Sequence, residues 1–289
     1  MHQPDHPSTV LFIVLFLVAS PPLLHARPSY RVTEPPEEVV TSFDLDPFYD
    51  QYIDVQDVPI VASERVSAYA LLEAAYLIRR MVQKRPELLN GLVKHRIRFV
   101  VIAHDEMTTD IPEYSDLPNP DHWDRRARGL GATRARPAVS CGEENLLEYP
   151  GDPYASENIL IHEFAHSLFT FGVLEIDPSY EKRLRQTYEH AMDNGLWEGT
   201  YAAKNPQEYW AEGVQSWFNT NRENDGQHNH VDTRSELKTY DPKLARLLQD
   251  VFRNNKWRYT PPRNRSTSSH LKGYNPDRAP TFRWPDDLR

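Results

Sequence analysis

His162-Glu163-Phe164-Ala165-His166 puts two imidazoles and a carboxylate into one short stretch, flanked by apolar Asn158-Ile159-Leu160-Ile161 and Ser167-Leu168-Phe169. On a helix, residues four apart lie about 40° apart around the axis, so both histidines share a face one turn apart. That spacing lets two imidazoles grip one tetrahedral zinc ion. Glu163, one step round the helix, can reach a water on such a metal. The pentapeptide alone is an incomplete site. A catalytic zinc needs three protein ligands and an open position.

Two schemes for the third ligand are excluded by the residues present. One needs a histidine six residues beyond His166, where the chain has Gly172. Another needs Gly-Thr-x-x-Asp, but Gly199-Thr200-Tyr201-Ala202-Ala203 ends in alanine. A glutamate on a later helix is the third scheme, and Glu208 fits it. Asn205-Pro206 reads as a helix cap followed by proline at the first helical position. Glu212 follows Glu208 by one turn, on the same face. Zinc-bound imidazoles usually donate their other N–H to an outer carboxylate, the role this places on Glu212. Trp210, Val214, Trp217 and Phe218 mark the helix as packed into the body rather than carrying two solvated glutamates.

On these residues the chain resembles a gluzincin metallopeptidase, and most closely the catalytic-domain family of anthrax lethal factor. The resemblance rests on His162-Glu163-Phe164-Ala165-His166, on Glu208-Tyr209-Trp210-Ala211-Glu212 and on the long interval between them, which is shorter in thermolysin-type enzymes. Tyr201 stands seven residues before Glu208, where the lethal factor family has a tyrosine near the metal. The similarity covers roughly residues 97–255. It implies an α+β, zincin-like fold: a small mixed sheet, an active-site helix carrying both histidines, and a second helix carrying the glutamate. It further implies one Zn²⁺ and hydrolysis of peptide bonds in a peptide or protein substrate. His162, His166 and Glu208 would hold the metal, Glu163 would act as general base, and Tyr201 would donate to the oxyanion. Tyr201 reads equally well as a buried structural tyrosine. His228 and His230 are alternatives for the oxyanion contact or for a second metal. Two rival classes stay open. One is a secreted zinc-binding or adhesion module without catalysis, against which Glu163 argues, since a structural site needs no base. The other is zinc-assisted hydrolysis of a non-peptide bond.

The 289 residues suffice for one large domain, and 39% hydrophobic with 26% charged residues suits a globular protein. A formal net charge of -9 gives no electrostatic footprint for nucleic acid or an anionic membrane surface. Twenty-four prolines against eleven glycines predict stiff connections. Cys141 is the only cysteine, which rules out an intramolecular disulfide and a cysteine-rich zinc site. It reads as an ordinary packed residue.

Residues 1–26 read as a secretory signal, with an apolar run from Val10 to Val18 and a small residue at Ala26 for cleavage. The run is shorter than the about 20 residues that span a bilayer. An uncleaved anchor is the alternative, because the first nine residues lack Lys and Arg. Residues 27–60 form an acidic, proline-bearing lead-in, either a removable pro-segment or solvated surface. The metallopeptidase domain is expected over residues 61–259, followed by a Pro/Arg-rich tail over 260–289.

Within the domain, helices are expected over 63–85, 87–93, 157–171, 179–194 and 207–218, with a last one from Asp241-Pro242; Ser156 reads as the cap of the helix over 157–171 and Gly172 as its stop. Strands are expected over 97–102 and 138–147, the second bounding the cleft and pairing with an extended substrate. Residues 105–137 and 219–240 read as loops. The arginines at 125, 126, 128, 134 and 136 could hold substrate carboxylates, but read rather as surface ion-pairing partners for the acidic excess. Asn264-Arg265-Ser266 is an N-glycosylation sequon, usable only after export.

Overall fold

Five short strands form one mixed sheet in the order β1-β2-β3-β5-β4: β1 Gln51–Val55, β2 Val58–Ala62, β3 Arg98–Ile102, β4 Gly129–Leu130 and β5 Ala138–Gly142. The structure is a computed structural model and describes residues 31–265 and 270–288. The expected secretory segment therefore lies outside the described residues, as does Ser266 of the sequon. β2, β3 and β5 run parallel, while β1 and β4 pair antiparallel at the two edges. The β1–β2 hairpin closes through Gln56 and Asp57, both at positive φ, the two-residue turn whose twist matches the strands.

The sheet is buried on both faces, as parallel strands require. Along β3, Phe99 and Val101 point into the main core, while Val100 and Ile102 point into a second one. The second core is completed by Phe43, Leu45 and Tyr49. The first two of these come from helix α1 (Glu37–Phe43) and the turn after it. So the segment read as an acidic lead-in supplies a strand pair and the cover of one sheet face. The division expected between residues 60 and 61 runs through β2.

The main core is helical. α2 (Ala68–Val82) and α3 (Leu89–Lys94) precede β3. α4 (Pro120–Arg126) lies before β4, within a stretch read as loop. α5 (Glu143–Leu147) starts where β5 ends, so the strand expected to continue to residue 147 turns helical after Gly142. α6 (Ile159–Ser167) runs into a π-helical segment, Leu168–Val173, and a last turn, α7 (Leu174–Ile176). Gly172 does not end this helix. A Cβ there would sit 2.7 Å from the Leu88 carbonyl oxygen, so its role is close packing. The stretch Ile159–Ile176 is apolar and long enough to cross a membrane, but 67% of it is buried inside the protein, as in a core helix.

α8 (Tyr180–Asp193), α9 (Pro206–Phe218), α10 (Arg234–Tyr240) and α11 (Pro242–Phe252) complete the body. Asn205 caps α9 and Asp241 caps α11, each accepting a backbone N–H three residues on. α10 lies in a stretch expected to be loop, nucleated by a capping box between Thr233 and Glu236. The chain is thus α+β with a small mixed sheet, the class expected. The described part of the tail packs on the body. Glu73, buried in α2, takes His270 Nε2 at 2.7 Å and the Arg265 guanidinium.

Candidate metal centre

α6 and α9 bring the chemistry together. Asn158 caps α6 by accepting the Ile161 N–H at 3.0 Å, in place of the expected Ser156. The indole N–H of Trp210 on α9 donates to the Ala165 carbonyl on α6 at 2.9 Å, fixing one helix against the other. The face of α9 that meets α6 therefore carries Glu208 up to both histidines.

His162 Nε2, His166 Nε2 and Glu208 Oε2 form a triangle with edges of 3.2, 3.2 and 3.3 Å. Tetrahedral geometry with metal–ligand bonds of about 2.0–2.1 Å sets ligand atoms about 3.3–3.4 Å apart. The donor set, two imidazoles and a carboxylate, is also one that suits zinc. Among the described residues no other group of three histidine, cysteine or carboxylate side chains is so placed. The residues therefore fit a zinc ion.

A closed polar circuit stands behind His162. Its Nδ1–H donates to Gln215 Oε1 at 2.8 Å, which keeps the Nε2 lone pair free for a metal. Gln215 Nε2 donates to Glu157, Glu157 pairs with Arg222 at 2.9 Å, and Arg222 pairs with Asp225 at 3.3 Å. Asp225 accepts from His228 Nδ1 at 2.8 Å, and His228 Nε2 lies 3.3 Å from Glu212. Glu212 returns to His162 Nδ1 at 3.5 Å and accepts from Asn221 at 3.0 Å. The nearer support of His162 is thus Gln215, with Glu212 one step behind. Sequence reasoning missed Gln215, although Glu208, Glu212 and Gln215 recur at the four- and three-residue steps of one helix face.

Charge follows this geometry. Burial pulls the His162 imidazole down, but the Glu208 contact and the charges of Glu163 and Glu212 overcome it and lift its pKa to about 10 when no metal is bound. Burial would raise Glu208, yet its contacts with both histidines hold it well below the usual carboxylate range. Glu163 is raised by burial, partly offset by the two imidazoles. His228 loses to burial but gains more from Glu212 and Asp225, and is raised.

These groups line a cleft of about 410 Å³ with Tyr201 and Gly129–Leu130. Tyr201 has its ring 6.3 Å from that of His162, and its backbone N–H donates to the Gln227 carbonyl at 2.7 Å. Burial, then Glu208 and Glu163, push its phenol up to about 12, so it stays a donor at neutral pH. His228 lines the cleft with both ring nitrogens held by carboxylates, and His230 is exposed outside it.

The strand bordering the cleft is β4 rather than the expected β5, which lies inside the sheet between β3 and β4. β4 lies close over α6. A Cβ on Gly129 would come within 2.6 Å of the Ile159 side chain and 2.7 Å of the Ser140 carbonyl oxygen. Arg128 is not the surface residue expected. It is fully buried and forms a two-pronged pair with Glu144 at 2.6 and 3.0 Å. Cys141 is buried in β5, with its thiol pushed up by burial. No protein-family model matches the chain, and no curated protein matches it.

Proposed function

We propose that the chain is a zinc-dependent metallopeptidase of zincin-like fold, exported by its N-terminal segment and acting on peptide or protein substrates. The reading is carried by the 3.2–3.3 Å triangle of His162, His166 and Glu208 at the floor of an open cleft, with Glu163 beside it. A gluzincin relationship rests on the same residues.

A zinc ion in that triangle would supply Lewis acidity, acidifying a water and polarising a carbonyl. The chain's own residues divide the rest. Gln215 holds His162 in the tautomer that leaves Nε2 unprotonated. Glu163 takes the proton of the attacking water and delivers it to the leaving amine nitrogen; its raised pKa brings it nearer to that amine's needs. Tyr201 keeps its proton and donates to the charge growing on the scissile carbonyl oxygen. β4 is an edge strand among the described residues, along which an extended peptide can align.

Incubating the purified chain with a mixed peptide library tests the proposal. Chelator-sensitive cleavage restored by zinc is expected. One bound zinc with no hydrolysis of any peptide would instead support a zinc-binding module without catalysis.

A further inference from the structure

The cleft has a charge imbalance that the reaction does not use. Four of its lining side chains are permanent cations: Arg126, Arg128, Lys204 and Arg222. Arg128 is neutralised by buried Glu144, and Arg222 by Glu157 and Asp225. Among the four cleft carboxylates, Glu163 has the two imidazoles as its positive neighbours. Glu157 faces Arg222, Glu208 faces the two imidazoles, and Glu212 faces His228 and Asn221. Arg126 and Lys204 have no carboxylate partner among the described residues, and both are exposed. The charge left over for a ligand is positive, on a chain whose net charge is -9.

Both cations are held in place. The Arg126 guanidinium lies 5.6 Å from the Trp123 ring centre, and its carbonyl accepts the Tyr154 hydroxyl at 2.6 Å. Lys204 Nζ lies 3.8 Å over the ring of Tyr201. Aromatic contact orients a cation without cancelling its charge. The two come from different walls. Arg126 ends α4 on the side of β4, and Lys204 stands between Tyr201 and α9. Both line the cleft that also holds His162, His166 and Glu208.

We propose that Arg126 and Lys204 select substrates with carboxylate side chains close to the scissile bond, so that the cleft is built for acidic peptides. This rests on the peptidase reading for its catalytic half, while the recognition half is a binding property. Exposed ion pairs are individually weak, so two of them give a preference of about fivefold for glutamate over the isosteric glutamine.

The test uses the full zinc-loaded chain and paired peptides that differ only in Glu or Gln within two residues of the bond cut. Cleavage is followed by mass spectrometry, and binding of the same peptides to the E163Q chain by calorimetry. The Glu peptides are expected to be cut and bound about fivefold better at low salt, with the difference shrinking as salt rises. In the R126E/K204E variant the preference should reverse to Lys-bearing peptides, with zinc content unchanged. Equal cleavage and binding of Glu and Gln peptides, or a preference that survives charge reversal, would overturn the inference. If no peptide is cut at all, the peptidase reading fails, and the calorimetric comparison still decides whether the cleft selects acidic chains.

Discussion

At the scale of single residues, the three proposed ligand side chains are legible in the sequence because their signals are local. Two histidines four apart share a helix face, and Glu208 follows a capped helix start. Gln215 is not legible there because the acceptor expected behind a metal-bound histidine is a carboxylate, whereas an amide oxygen accepts the same N–H. Its substitution separates its role from that of Glu212. Gln215→Leu removes the acceptor 2.8 Å from His162 Nδ1 and should weaken zinc binding about 10–100-fold in a competitive chelator titration. Unchanged affinity would show that Glu212 alone orients the ring. The raised His162 pKa gives a second prediction. In the metal-free chain the stabilisation from protonated His162 is fully present below about pH 6.5, the ordinary value, and is lost as pH climbs through about 10. Because zinc must displace that proton, zinc affinity should rise over the same window. Thermal melts of metal-free and zinc-loaded chain between pH 6 and 10 should therefore diverge, with the metal-free melting temperature falling. Parallel curves would count against a proton shared between His162 and Glu208.

At the scale of elements, caps were the most readable feature. Asn205-Pro206 and Asp241-Pro242 start helices where expected, because a cap is a bond between a side chain and a backbone N–H three residues on. Stops and strand continuations read poorly. Glu143 to Leu147 turns helical immediately after a strand, and nothing in five residues distinguishes the two periodicities. Gly172 looked like a terminator but sits in a π-helical segment whose need for a small residue comes from Leu88, far away in sequence. The cap of α9 also positions a proposed ligand, since Asn205 Oδ1 accepts the backbone N–H of Glu208 itself at 2.9 Å. Asn205→Ala should cost about 1 kcal/mol of stability and loosen zinc binding together. A stability loss in urea with unaltered zinc affinity would show that α9 is held by Trp210 and its neighbours alone.

For the whole molecule, the α+β class was readable from the mix of helical and strand-like runs, but the extent of the folded body was not. Residues 31–60 looked detachable because they are acidic and proline-bearing, yet Phe43, Leu45 and Tyr49 cover a sheet face. Buried ion pairs were equally invisible, since Arg128–Glu144 and Glu73 with Arg265 and His270 join positions far apart in the chain. Removing both partners of Glu73 would strand a buried carboxylate. The R265A/H270A variant should therefore lose about 3–5 kcal/mol of stability by urea denaturation, whereas a loss under about 1 kcal/mol would mean that the tail is only a surface cover. The central claim is that one metal, gripped by α6 and α9, works with Glu163 to break peptide bonds. Its most direct test compares wild-type chain and E163Q at equal, verified zinc content on the same peptide library. One zinc per chain is expected in both, with chelator-sensitive cleavage by the wild type and turnover abolished in E163Q. Full activity in zinc-loaded E163Q would contradict it.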